Sequence, residues 1–323
     1  METPNRRPLT LLRTAAGSPP SVTQYRAFRR LGCRIVAADC DPASVGFSFA
    51  DAAHVVPRAD AEGYLDRMLE ICSQESVDLL LPALDEELLI CSRHRSRFEG
   101  VGTRVLISPP EALRVCTDKL LTYEAFRKLA IPTPMTVAAE DYREGALGPG
   151  PFVVKPRAGR GGAGVQMARD HHEAAFFASR TPGAVVQERC VGEELTLDVL
   201  AGMDSEVRIL SPRRRLAVDS GISSKGATCW RDDLLEPVRR AVKALGLVGP
   251  VNIQCFAGEG LSFTEINARI AGTAILSQAA GVPYFQGILA LGEGRIPAAW
   301  LKPAAPLVMY RYWEEFFLAP AGG

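Results

Sequence analysis

From residue 8 to about residue 108, short apolar runs alternate with amphipathic stretches. "PLTLLRTAA" and "CRIVAAD" have the unbroken apolar character of buried strands, and "SVTQYRAFRRLG" between them carries its apolar residues at helical spacing. Ser21 and Gln24 stand where a capping box would place them, and Gly32 stands where the helix should stop. "AEGYLDRMLEICSQE", "VDLLLPA", "EELLICSRHRSRF" and "RVLIS" continue the alternation, which predicts a doubly wound parallel sheet. After "PPEALRVCTDKLLTYEAFRKLAIPTP" the texture changes. "PFVVKP", "VQMA", "AVVQERC", "ELTLDVLAG", "VRILS", "LAVDSG", "PVNIQCFA" and "LSFTEINAR" follow one another with few helices between them, as antiparallel strands do. The expected class is α/β plus α+β. The expected division is an α/β domain over 1–112, a small lobe with a glycine-rich segment over 113–198, and a larger lobe over 199–323.

Composition narrows the partners. A chain of 323 residues, 47% hydrophobic, exceeds the usual size of a single core. Lys plus Arg and Asp plus Glu number 37 each, so no net field favours nucleic acid or an anionic membrane. Cysteines at 33, 40, 72, 91, 116, 190, 229 and 255 form no C-x-x-C pair and read as reduced thiols. No apolar run approaches the ~20 residues of a membrane-spanning helix. A cytoplasmic protein acting on small molecules is expected, with no nucleic acid or membrane partner.

"PFVVKPRAGRGGAGVQMA" contains G-x-G-x-x-G at 159, 161 and 164. A dinucleotide fingerprint needs a helix opening inside the glycines, whereas here Val165 and Met167 alternate like a strand. The next helix signal is Asp170 with Glu173, so the glycines join two strands as a hairpin. Glu188 mimics a ribose-binding acid only by its distance. The loop after the first strand, "TAAGSPPS", lacks the glycines of an NAD site, although Asp39 ends the second strand as such an acid would. A Walker loop fails too, because Lys155 precedes the glycines. Such a hairpin can still close its N–H groups over a polyphosphate while Lys155 neutralises it from the strand. The alternative is a solvated hairpin beside a surface lysine.

"VNIQCFAGEGLSFTEINARIAG" supplies the densest chemistry. The simplest hairpin about Gly258-Glu259-Gly260 pairs Gln254 with Glu265, and the two-residue strand repeat puts Asn267 on their face. A carboxylate between two amides offers hard oxygen ligands of the kind Mg²⁺ takes together with phosphates. Arg269 adds a cation just beyond. The competing reading is an ordinary polar sheet face.

Together these residues resemble the ATP-grasp superfamily, and within it the synthetase half-units of the carbamoyl phosphate synthetase large subunit. The resemblance rests on "TDK", "FVVKP", the glycine loop, "VVQE" followed by "GEE", "NIQ" and "EINAR", and it covers about 8 to 300. It implies a pre-ATP-grasp doubly wound parallel sheet followed by a two-lobed ATP-grasp fold. It further implies that Lys119 and Lys155 contact ATP phosphates, with Gly161 and Gly162 in the lid. Glu188 and the hinge through Val191 would hold adenine, and Glu194 the ribose. Gln254, Glu265 and Asn267 would carry two Mg²⁺ ions, with Arg269 at the reacting phosphate. Asn267-Ala268-Arg269 stands where the family has Asn-Pro-Arg, and a single grasp unit is visible, which argues against carbamoyl phosphate synthesis.

The superfamily chemistry phosphorylates a carboxylate and passes the acyl group to an amine. Arg213 and Arg215 on one strand face, and Lys225 in the loop "GISSKGATCW", are candidates to hold that carboxylate; the arginines could equally be a solvated run. Pro237 interrupts the helical pattern of "DDLLEPVRRAVKALG". The expected activity is an ADP-forming carboxylate-amine ligase with ATP and Mg²⁺ as cofactors and a homodimer allowed. Its rivals are a bicarbonate- or carbamate-phosphorylating enzyme, a noncatalytic ATP-binding subunit and an NAD-dependent oxidoreductase.

Overall fold

The computed structural model describes residues 7–159, 161–219 and 221–318. Strands β1 (Thr10–Arg13), β2 (Arg34–Asp39), β3 (Ala52–Val55), β4 (Leu79–Leu81) and β5 (Arg104–Val105) form a parallel sheet in the order β3-β2-β1-β4-β5. Both faces are covered, which is why β1 and β4 are buried throughout and read as continuous apolar runs. Leu11, Ile35 and Leu79 pack with Phe28 and with Phe285 and Ile288 of the helix Tyr284–Gly292. Leu12, Val36 and Leu80 face the opposite way, onto Met68, Ile71 and Phe98. The first of these cores borrows a helix from the far end of the chain, so the parallel sheet and the C-terminal lobe share one apolar interior.

The helix Ser21–Arg30 is not opened by the expected capping box. The Ser21 hydroxyl donates to Ala16 O, and the Gln24 side chain turns inward to Arg13, because both have better partners in the interior than at the helix end. The edge strand β3 escaped the sequence pattern because it is short, half exposed and rich in alanine.

The second sheet is antiparallel, in the order β6-β9-β7-β8, with β6 at Thr136–Ala138, β7 at Phe152–Pro156, β8 at Gln166–Ala168 and β9 at Ala184–Glu188. The glycine segment links β7 to β8 as a hairpin, and the next helix starts only at His171. Gly159, Gly161, Gly162 and Gly164 all have positive φ, between 67° and 123°, so an L side chain there would strain the turn. Asp170 caps the helix His171–Arg180 through the Glu173 N–H at 2.9 Å, and Glu173 returns its carboxylate to the Arg169 N–H at 2.9 Å.

The third sheet has the order β14-β13-β10-β11-β12-β15 and is antiparallel. It comprises β10 (Glu193–Ala201), β11 (Val207–Asp219), β12 (Ile222–Thr228), β13 (Gly249–Ala257), β14 (Leu261–Asn267) and β15 (Val308–Tyr310). β10 crosses the division expected at 198 and lies wholly in this sheet, because its pairing with β13 begins at Glu193. "VRILS" and the "LAVD" that opens "LAVDSG" are one strand, β11, running through Pro212 and ending at Asp219. Lys225 lies on β12 rather than in a loop, since residues 222–228 pair with β11. Pro237 falls in the first turn of the helix Leu235–Leu245, where a missing N–H leaves no intrahelical bond unmade.

Candidate active site

The middle strands of the third sheet have unlike faces. Leu195, Leu197, Ile253 and Ile266 point into the core beneath, against Leu234 and Val238. On the other face, Thr196 lies beside Gln254 and Asp198 beside Asn252, while Gln254 pairs with Glu265 and Asn252 with Asn267. The register expected for the hairpin therefore holds at the site end. Towards the turn it slips by one, to Cys255–Phe263, because a bulge accommodates Thr264. Asn252 carried no assignment from the sequence, although it stands two residues before Gln254 on the same face. Its amide donates to Thr196 Oγ1 at 2.6 Å and to Leu197 O at 3.3 Å, which fixes it in place.

This polar face is the floor of a cleft. Lys155, 6% exposed on β7, reaches across from the second sheet to place Nζ 3.8 Å from Glu265 Oε1. Burial lowers the Lys155 pKa, and Glu265 opposes that shift. Glu194 lies 2.5 Å from Arg215 Nη1, yet burial pushes its carboxyl up because desolvation outweighs the pairing. From the parallel sheet's side, Asp85 accepts from Arg269 Nε at 2.9 Å, a partner that the sequence did not signal.

Three cavities converge on this floor. One of about 640 Å³ is lined by Lys155, Glu188, Val191, Glu194, Gln254 and Glu265. A second, of about 450 Å³, includes Lys119, Gly159, Glu265 and Asn267. The third, of about 390 Å³, includes Gly161, Arg215, Gln254, Glu265, Asn267 and Arg269. Glu265 lines all three.

Other expected residues have distinct settings. Lys119 opens the helix Lys119–Lys128 and donates to Gly159 O at 3.1 Å, while Asp118 caps that helix and holds Arg157 Nε at 2.7 Å. The start of the glycine hairpin is thereby anchored. Glu188 accepts from the Gly148 N–H at 2.9 Å, and Val191 is 84% exposed at the cleft's lip. Gly162 is exposed, and a Cβ there would meet nothing within 4 Å. Arg213 does not line the cavities. It is 1% exposed, its fork grips Asp198 with both contacts at 2.7 Å, and it donates to Thr273. Lys225 is exposed over the Tyr310 ring, 5.9 Å from its centroid. Of the proposed carboxylate cradle, only Arg215 faces the site.

Among the described residues no group of three or more His, Cys, Asp or Glu could hold a metal. The face of Gln254, Glu265 and Asn267 has one carboxylate and two amides, which fits a hard cation that completes its shell with phosphate oxygens.

Residues 116–273 match the sequence profile of the ATP-grasp domain, and residues 11–106 that of the PylC-like, N-terminal domain. The chain belongs to the ATP-grasp superfamily. The carbamoyl phosphate synthase large chain of Methanosphaerula palustris is 27% identical over 251 residues, covering 71% of this chain and 23% of the relative. The 3-methyl-D-ornithine–L-lysine ligase of Methanosarcina acetivorans is 25% identical over 244 residues, covering 75% and 61%. The chain thus spans less than two thirds of the length of either relative. Among solved structures, the biotin carboxylase domain dimer of Hydrogenobacter thermophilus 2-oxoglutarate carboxylase, in complex with MgADP, ADP and bicarbonate, superposes with a TM-score of 0.73 at 19% identity, over 93% of this chain and 73% of that one. In ATP-grasp terms the second and third sheets are the two lobes, and the parallel sheet is the domain that precedes them. No helix among the described residues is long and apolar enough to cross a membrane.

Proposed function

We propose that this ATP-grasp protein is an ADP-forming carboxylate-amine ligase. The observation that carries the reading is Glu265, which lines both the cleft between the lobes and the arginine-bearing cavity beyond it. ATP occupies the former, with Lys155 and Lys119 on its phosphates, Glu188 and Val191 at the base and Glu194 near the ribose. Gln254, Glu265 and Asn267 would hold two Mg²⁺ ions, which would supply positive charge against the ATP phosphates when bound. Arg215 and Arg269 orient the acid at the junction. A carboxylate oxygen attacks the γ-phosphorus and ADP leaves; an amine then attacks the acyl carbon and phosphate leaves. The glycine hairpin excludes water from the acyl phosphate.

The relative named as a ligase supports this reaction. The carbamoyl phosphate synthase relative supports the alternative, phosphorylation of bicarbonate or carbamate in the same site. Hydroxylamine separates them. ATP-dependent hydroxamate formation from a small acid, without the natural amine, is the result expected. ADP release driven by bicarbonate alone, with no hydroxamate from any acid, overturns the ligase reading.

A further inference from the structure

Of the arginines lining the 390 Å³ cavity, two are neutralised: Arg215 by Glu194 at 2.5 Å and Arg269 by Asp85 at 2.9 Å. The third, Arg13, is different. It ends β1, is 3% exposed, and among the described residues has no carboxylate within ion-pair distance. Its Nε and Nη2 donate to the neutral Gln24 Oε1 at 3.0 and 2.7 Å, and its Nη1 donates to Leu81 O at 3.3 Å. A guanidinium has five N–H donors, so part of the fork is left over. Glu87 attracts Arg13 electrostatically but makes no hydrogen bond or ion pair with it. The Glu87 carboxylate is instead occupied by Thr14 Oγ1 and by the Ala83 and Leu84 N–H groups, all of which donate to it.

The location is as telling as the charge. The chain leaves β1 for β2 on one side and reaches β4 on the other, so the sheet reverses its direction of growth between β1 and β4. Arg13 lies at the carboxyl end of β1, and Ala83 and Leu84, just past β4, line the same cavity. Open α/β sheets bind ligands in this crevice. Gln24 also donates to Ala271 O on the cavity's other wall, which ties the orientation of Arg13 to the larger lobe.

We propose that Arg13 docks a carboxylate other than the one activated, so that the compound filling this cavity is a dicarboxylate acid or an amine that is itself an amino acid. A structural arginine holding Gln24 and Leu81 could be replaced by a neutral donor; a buried guanidinium that faces a cavity with spare N–H donors and no hydrogen-bonded carboxylate is built to take one from a ligand. The inference rests on the ligase reading for its choice of substrates, but its test does not.

Binding of the proteinogenic amino acids, and of dicarboxylates from malonate to adipate, is measured calorimetrically on the full chain with Mg²⁺ and a non-hydrolysable ATP analogue. Each compound is compared with its counterpart lacking one carboxylate. At least one carboxylate-bearing compound should bind, and Arg13→Met should raise its Kd by about 30-fold or more. Gln24→Glu should weaken binding likewise while keeping the arginine, because it supplies an internal counter-charge; it carries the test if Arg13→Met does not fold. Undiminished binding in a folded variant, or no compound binding better than its counterpart, overturns the proposal. Hydroxamate assays then locate the carboxylate. A KM effect of Gln24→Glu on the acid, with hydroxylamine as nucleophile, places it on the acid, and an effect confined to the amine places it there. Arg13-dependent binding without ADP release from any compound leaves the carboxylate site standing and removes the ligase reading.

Discussion

Lys155 Nζ lies 3.8 Å from Glu265 Oε1, so the second sheet and the β13–β14 hairpin meet through an ion pair at the point where all three cavities converge. Glu265 is half exposed in this setting rather than part of a core. Glu265→Ala should therefore reduce ATP turnover by about 100-fold or more, as expected for loss of a cation ligand that acts on the reacting phosphates. The thermal midpoint should change little. Turnover near the wild-type level at ordinary Mg²⁺ would remove Glu265 from the metal face.

The same contact sets a pH dependence. Burial lowers the Lys155 pKa from the ordinary lysine value of 10.5 in the free protein. A lysine whose folded pKa is lowered binds its proton less tightly when folded, so it disfavours the fold at neutral pH. That penalty fades as the pH rises through the folded value towards 10.5. Denaturant unfolding of wild type and Lys155→Met should show this as a stability difference that shifts in favour of the wild type as pH rises. A difference that moves the opposite way would mean that Glu265 governs the lysine more strongly than burial does.

Arg213 and Arg215 should separate cleanly. Arg213→Met leaves the fully buried Asp198 without its partner and should destabilise the protein by about 3–5 kcal/mol. Arg215→Met should instead lower kcat/KM for the acid, with ATP binding retained. Urea midpoints and initial rates on both variants check this, and the converse pattern would restore Arg213 to the substrate.

Gly221 has φ +76°, and a Cβ on it would lie 2.5 Å from Gly161 Cα. Gly221→Ala should thus hold the glycine hairpin away from the β11–β12 turn, beyond the ~1–2 kcal/mol of backbone strain. ATP hydrolysis uncoupled from product should rise, since water then reaches the acyl phosphate. Equal coupling in the variant and wild type would show that this contact does not seal the site.

Glu173 tests the electrostatics of the smaller lobe alone. Its carboxyl is lowered to about 2, chiefly by the side chain of Arg169 and then by its backbone N–H. The contribution is present above the ordinary value of 4.5 and is lost as the pH falls towards 2. A carboxyl titration followed by NMR should find it in that range, and a midpoint near 4.5 would mean that the Arg169 pairing is not maintained in solution.

What the sequence determined by itself was local. Strand parity put Gln254, Glu265 and Asn267 on one face, positive-φ glycines marked the β7–β8 hairpin, and Asp170 announced its helix, because each depends on residues a few positions apart. Parity says which side chains share a face but not what covers that face. The same two-residue spacing that grouped Arg213 with Arg215 could not show that Asp198, from the neighbouring strand, would bury one of them, while Glu194 kept the other at the cleft. Lys225 was assigned to a loop because β12 is polar, and only its pairing with β11 and β15 made it a strand. Asp85 and Arg13 reach the site from the parallel sheet, 184 residues from Arg269 in the first case. Their approach is decided by the apolar interior that joins Phe28 to Phe285, a packing of distant surfaces that no local pattern encodes.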